Sequence, residues 1–131
     1  MWPFRQNPTG MNISELIGKT ITDIKVNSEN DEIRFKCDDG TEYKMLHFQS
    51  CCESVTIEDI NGDLDDLIGS PILKAEEVTN CDENPEGVTK EYQDSFTWTF
   101  YHLATVKGYV TIRWYGESNG YYSEDVDFIK L

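Results

Sequence analysis

Positive charge is what this chain has least of. Its 131 residues hold 11 Lys and Arg against 25 Asp and Glu, a formal charge of −14 with a pI near 4.3. A protein that binds nucleic acid unaided neutralises phosphates with Lys and Arg, and an anionic membrane surface repels an acidic chain. Direct binding to either is therefore not expected. Long apolar runs are also missing, which leaves no candidate transmembrane helix, and no basic-then-apolar stretch marks a signal peptide. A cytoplasmic setting follows as the expectation. Histidine is scarce: only His47 and His102 are present, so groups for acid–base work near neutral pH are few. The four cysteines, Cys37, Cys51, Cys52 and Cys81, read in a reducing compartment as small buried residues or free thiols rather than as bridges.

What remains is enough for one core. Hydrophobic residues are 38% of the chain, adequate for a folded domain, and the length suits one domain. Residues 1–10, with two prolines and no period, read as a tag or flexible extension. Residues 11–131 read as a single globular domain.

Most of the signals along that domain are strands. Asn12 or Ser14 can cap a short helical turn that ends at Gly18. Ile21, Ile24 and Val26 then suggest a strand. Ile33, Phe35 and Cys37 alternate with Arg34 and Lys36, and Asp39-Gly40 signals a type I′ hairpin into a strand from Thr41 to Phe48. These form a three-stranded meander. Ser54 to Ile60 reads as a further strand, and the segment from Asp63 to Gly69 as one helical turn with acids at its positive end. Leu67-Ile68-Gly69 echoes Leu16-Ile17-Gly18, so both halves are expected to use a short helical turn that feeds a strand. The polar stretch 80–94 reads as the one long, mobile loop.

Beyond that loop, Phe96, Trp98 and Phe100 alternate with threonines. Val110, Ile112 and Trp114 share one face of the next strand, and all six are expected to point inward. Asn119-Gly120 signals a second hairpin, with a closing strand from Tyr121 to Ile129. The expectation is a mainly β fold, α+β at most. It is an antiparallel sheet system of about seven or eight strands with two short helical turns.

Three constellations can carry function. The first is His47-x₃-Cys51-Cys52-Glu53. Imidazole and thiolate suit zinc, and a thiol beside a histidine can be an activated nucleophile. Neighbouring cysteines on an extended chain point to opposite faces, however, and no CxxC pair is present. Packing is the favoured role, with no Cys51–Cys52 disulfide and no metal or cofactor. The second is the acidic run from Glu58 and Asp59 to Asp63. It fails as a calcium loop because Leu64 stands where glycine belongs, and it reads as a solvated turn and helix cap. The third is Arg113-Trp114-Tyr115-Gly116-Glu117-Ser118-Asn119-Gly120-Tyr121. Alternation leaves Arg113 and Tyr115 on the face opposite Trp114, where a guanidinium clamps an oxyanion and an aromatic ring stacks. Arg113, Tyr115, Asn119 and Tyr121 are the binding candidates. An aromatic ladder with Arg113 paired internally to Glu117 or Asp125 is the alternative.

The blocks His47…Cys51-Cys52-Glu53, Ile57-Glu58-Asp59…Gly62-Asp63…Asp66-Leu67-Ile68-Gly69-Ser70 and Trp98-Thr99-Phe100-Tyr101…Arg113-Trp114-Tyr115-Gly116-Glu117-Ser118-Asn119-Gly120-Tyr121-Tyr122-Ser123 together resemble a family of short proteins of unknown function from phages and prophages. The resemblance spans residues 13 to 131. It implies a small phage-associated protein of the host cytosol and transfers no catalytic residue. Three functions are open. One is an acidic binding protein, active in counter-defence, that inhibits a host protein or sequesters a small anionic ligand. The second is a nucleic-acid mimic directed at a basic host protein. The third is a small Cys/His enzyme. Binding is favoured over catalysis because no complete catalytic geometry is visible. A homo-oligomer is left open.

Overall fold

The computed structural model describes residues 11–90 and 93–131, so the expectation for residues 1–10 lies outside the described residues. Eight strands form: β1 (Ile21–Val26), β2 (Glu32–Cys37), β3 (Glu42–Leu46), β4 (Ser54–Asn61), β5 (Lys74–Asn80), β6 (Ser95–Thr105), β7 (Gly108–Ser118) and β8 (Asp127–Lys130). Two 3₁₀ turns, Ile13–Leu16 and Leu64–Leu67, complete the elements, and the fold is mainly β as expected. Among the described residues, no helix is long and apolar enough to cross a membrane.

The strands make two antiparallel sheets, ordered β1-β2-β3-β8 and β4-β7-β6-β5. Each sheet is a three-stranded meander completed by the last strand of the other half: β8 joins β3, and β4 joins β7. The echo at Leu16 and Leu67 is the local sign of this two-fold arrangement. Asn12 and Asp63 cap the two turns by accepting from the amides two residues on, which satisfies donors the short turns leave free. Gly18 and Gly69 follow at φ 86° and 88°, a backbone region that glycine reaches without strain. Gly18 N–H donates to the Ile72 carbonyl at 2.8 Å and Gly69 N–H to that of Ile21 at 2.9 Å. Each half is thus stitched to the other by the same device.

One core lies between the sheets. Ile33, Phe35, Tyr43, Met45 and Phe128 enter it from the first sheet, and Val55, Ile57, Tyr101, Leu103, Val110, Ile112 and Trp114 from the second. The Trp114 indole N–H donates to Met45 Sδ at 3.2 Å, so the largest inward ring of one sheet is anchored on the other. Burying each such side chain contributes about 1.5–3 kcal/mol.

Four expectations need correction. Phe96, Trp98 and Phe100 do not share the inward phase. Trp98 pairs with Tyr115 and Phe100 with Arg113, on the outer face of the sheet, while Tyr101 and Leu103 point inward. The Asp39-Gly40 turn is not type I′, since only Gly40 has positive φ there. Its N–H donates to the Cys37 carbonyl, a tight turn closed by a glycine bulge. Asn119-Gly120 makes no hairpin, and β8 leaves for the other sheet. The Asn119 side chain accepts from Tyr121 N–H and the Ser118 hydroxyl from Gly120 N–H, taking amides that a hairpin ladder would need. Finally, Cys51 and Cys52 are joined by a disulfide, leaving Cys37 and Cys81 free. The opposite-face rule does not apply because these two residues sit in a bend between β3 and β4.

Candidate functional site

The outer face of the second sheet collects the chemistry. β6 is long and central, so both of its faces carry apolar side chains: Tyr101 and Leu103 inward, Phe96, Trp98 and Phe100 outward. Trp98 lies 4.4 Å, centroid to centroid, from Tyr115, and Phe96 stacks on the same tyrosine at 6.4 Å. Such aromatic contacts contribute about 0.5–1.5 kcal/mol beyond area burial. Trp98 is fully buried although it faces away from the core, because Asn84 and Lys90 of the loop after β5 lie against it. Asn84 Oδ1 accepts from the Trp98 indole N–H at 3.0 Å and from Gln93 Nε2 at 2.9 Å. Asn84 Nδ2 returns a bond to Gln93 Oε1 at 3.0 Å, and Gln93 Nε2 also reaches Tyr115 Oη at 2.7 Å. The loop is therefore a strap hydrogen-bonded to the aromatic row. Burial pushes the Tyr115 phenol up from its ordinary value, against the opposing hydrogen bond from Gln93.

Two cations lie on these rings. Lys90 Nζ stands 4.6 Å from the Tyr115 centroid and 5.9 Å from that of Trp98. The Arg113 guanidinium sits 5.3 Å from the Trp98 centroid. Its partner is neither Glu117 nor Asp125 but Glu58: Nε donates to Oε1 at 2.8 Å, and Nη2 donates to the same oxygen. A bulge in β4 between Ile57 and Asp59 places Glu58 and Asp59 together opposite Arg113, and bulges re-aim side chains in this way.

Of the other candidates, Asn119 and Tyr121 are exposed at the end of β7, with Tyr121 edge-on to Tyr122 at 5.2 Å. They sit in a turn and do not join the Trp98 cluster through any ring contact or hydrogen bond among the described residues. Asp63 caps the second 3₁₀ turn, and Asp59 is exposed on the bulge.

The buried side chains of His47 and Glu53 form a separate knot, with the exposed, disulfide-linked Cys51 and Cys52 beside it. His47 Nδ1 lies 2.7 Å from the Asp125 carbonyl oxygen, and Nε2 lies 2.7 Å from Glu53 Oε2. Both ring nitrogens are thus engaged by oxygen atoms. Glu53 accepts further from the Ser50 amide at 2.8 Å and the Cys51 amide at 2.9 Å. Burial acts to raise the Glu53 carboxyl, but the hydrogen bonds from His47 and these amides outweigh it and hold it at about 2. The knot ties the β3–β4 connection to the crossover that leads into β8. Among the described residues, no group of three or more His, Cys, Asp and Glu side chains has the geometry to hold a metal ion.

The profile of a domain of unknown function, DUF7448, matches residues 14–128. The chain belongs to the DUF7448 family. No curated protein and no solved structure matches it. In this DUF7448 chain, three contributors to the outer-face cluster, Asn84, Lys90 and Gln93, sit in a polar loop with no period, where sequence reading has nothing to hold. Trp98 was legible as an aromatic of a strand, and the phase of that strand was not.

Proposed function

We propose that this chain is an acidic binding protein whose recognition surface is the outer face of the second sheet and whose partner is a basic protein segment. The observation that carries the reading is Lys90. Its ammonium rests on Tyr115 and Trp98, so the face already receives a cation from its own chain. A lysine or arginine of a partner takes the same place, and the field of a −14 protein steers such a partner inward. The resemblance to phage and prophage proteins supports a host-cytosol setting and a counter-defence role, in which the protein occupies a basic host protein. A host protein that otherwise holds nucleic acid is the extreme case, with carboxylates standing where phosphates belong. Catalysis has less support, since both His47 nitrogens are engaged and the adjacent thiols are joined.

The test uses an octalysine peptide as the probe, with binding followed by the Trp98 indole N–H resonance. Lys90→Ala removes the internal occupant and is expected to tighten binding about threefold or more, the scale of one cation–π contact. Lys130→Ala makes the same charge change on the other sheet and is expected to leave binding close to wild type. Tyr115→Ala is expected to weaken it. Equal effects of the two lysine changes, with no effect of Tyr115→Ala, would reduce the interaction to bulk charge and sink the proposal.

A further inference from the structure

Four of the 11 cations of this acidic chain, Lys25, Arg34, Lys36 and Lys44, share the outer face of the first sheet. Register puts three of them in one row: Lys25 pairs with Arg34 across β1 and β2, and Arg34 with Lys44 across β2 and β3. Like charges directly opposite one another destabilise a sheet, and 25 carboxylates were available to alternate with them. The outer lysines each find an acid, Lys25 with Asp23 at 3.9 Å and Lys44 with Glu32 at 3.5 Å. Arg34, in the middle, is exposed, and its guanidinium takes no ion pair or hydrogen bond among the described residues. It therefore contrasts with Arg113, whose donors go to Glu58. Arg34 lines a concavity of about 400 Å³ together with Asp23, Lys25, Asn27, Glu32 and Lys36, a volume within the range of small-molecule sites.

We propose that this groove binds a small hydroxylated phosphate ester, a sugar phosphate or nucleotide in chemical class. The planar fork of Arg34 matches two phosphate oxygens, and Lys25 and Lys36, which line the same concavity, flank it as point charges. The rim carboxylates Asp23, Glu32 and Glu42 are acceptors only. They suit sugar hydroxyls, which donate, and they disfavour a polyanion such as duplex nucleic acid. This site is separate from the aromatic face and does not depend on the partner proposed there.

The experiment is titration of isotope-labelled full-length protein with ribose 5-phosphate, inorganic phosphate and ribose, followed by backbone amide shifts. Ribose 5-phosphate is expected to move amides of β1, β2 and β3 and to bind more tightly than either of its parts. Arg34→Lys keeps the charge and removes the fork, so affinity is expected to fall several-fold. Arg34→Gln is expected to weaken it by roughly tenfold or more, the scale of a charge-assisted hydrogen bond. Arg34 is on the surface, and an unchanged spectrum away from the groove verifies that each variant is folded. Shifts that map to Lys90 or Lys107, equal affinity for inorganic phosphate, or undiminished binding by Arg34→Gln would each overturn the proposal.

Discussion

Gly116→Ala is the substitution that tests how the two sheets are locked together. Gly116 lies in β7 on the inward phase, between Thr97 and Val55. The crossover to β8 passes directly over it. A Cβ at this position would stand 2.7 Å from the Glu124 carbonyl oxygen and 2.9 Å from the Glu124 Cβ. Neither neighbour is free to move. The buried Glu124 carboxylate accepts from the Thr97 hydroxyl at 2.8 Å and from the Ser118 hydroxyl, and the next carbonyl, that of Asp125, faces His47. Overpacking of this kind costs about 1–3 kcal/mol, and losing a hydrogen bond to a charged group costs about 1.5–3 kcal/mol. Alanine recovers roughly 0.5–1 kcal/mol of backbone entropy relative to glycine. The net loss is ~1.5–5.5 kcal/mol. With an unfolding entropy near 2.1 cal/mol/K per residue, a chain of this size loses roughly 4 °C of melting temperature per kcal/mol, so a drop of ~6–22 °C is expected by circular dichroism. Gly120→Ala is the comparator. Its nearest atom is Ser95 Cβ at 3.8 Å, so only the left-handed backbone cost of about 1–2 kcal/mol applies. A Gly116→Ala drop smaller than the Gly120→Ala drop would refute the close crossover.

Three further outcomes are expected. Glu53 is depressed from 4.5 to about 2, so its contribution is complete above pH 4.5 and is lost as pH falls towards 2; the acid limb of melting temperature against pH should be shallower in Glu53→Gln than in wild type, and identical limbs would contradict the knot. Thiol titration of denatured protein should find two reactive cysteines without reductant and four with it, whereas four in both would remove the Cys51–Cys52 bond. Asn84→Ala deletes three strap hydrogen bonds and leaves the Trp98 N–H without its acceptor; a loss of about 1–3 kcal/mol in denaturant unfolding is expected, and unchanged stability would mean the strap is not engaged.

The parts of the fold that rest on local signals were legible. The first meander, both 3₁₀ turns and the outward placement of Arg113 and Tyr115 follow from period-two alternation, capping residues and glycines. The phase of β6 was not, because Phe96, Trp98 and Phe100 compete with Tyr101 and Leu103, and alternation fixes a period without choosing a side. The strand exchange was hidden for another reason. Asn119-Gly120 is a hairpin signal only when its amides are left to the ladder, and here the side chains of Asn119 and Ser118 take them. Arg113 found Glu58 through a bulge, which sequence spacing does not reveal. At Cys51 and Cys52, an argument that holds for extended chain failed because the chain bends.

Trp98 faces outward beneath its own strap, and the recognition surface is built on that placement. A nuclear Overhauser spectrum of the labelled protein tests this directly. The Trp98 indole should show contacts to Tyr115, Asn84 and the Lys90 side chain, while the Trp114 indole shows contacts to the Met45 methyl group. Contacts from Trp98 to Tyr43, Phe128 or Met45 would put the ring in the core and contradict both the register and the recognition surface built on it.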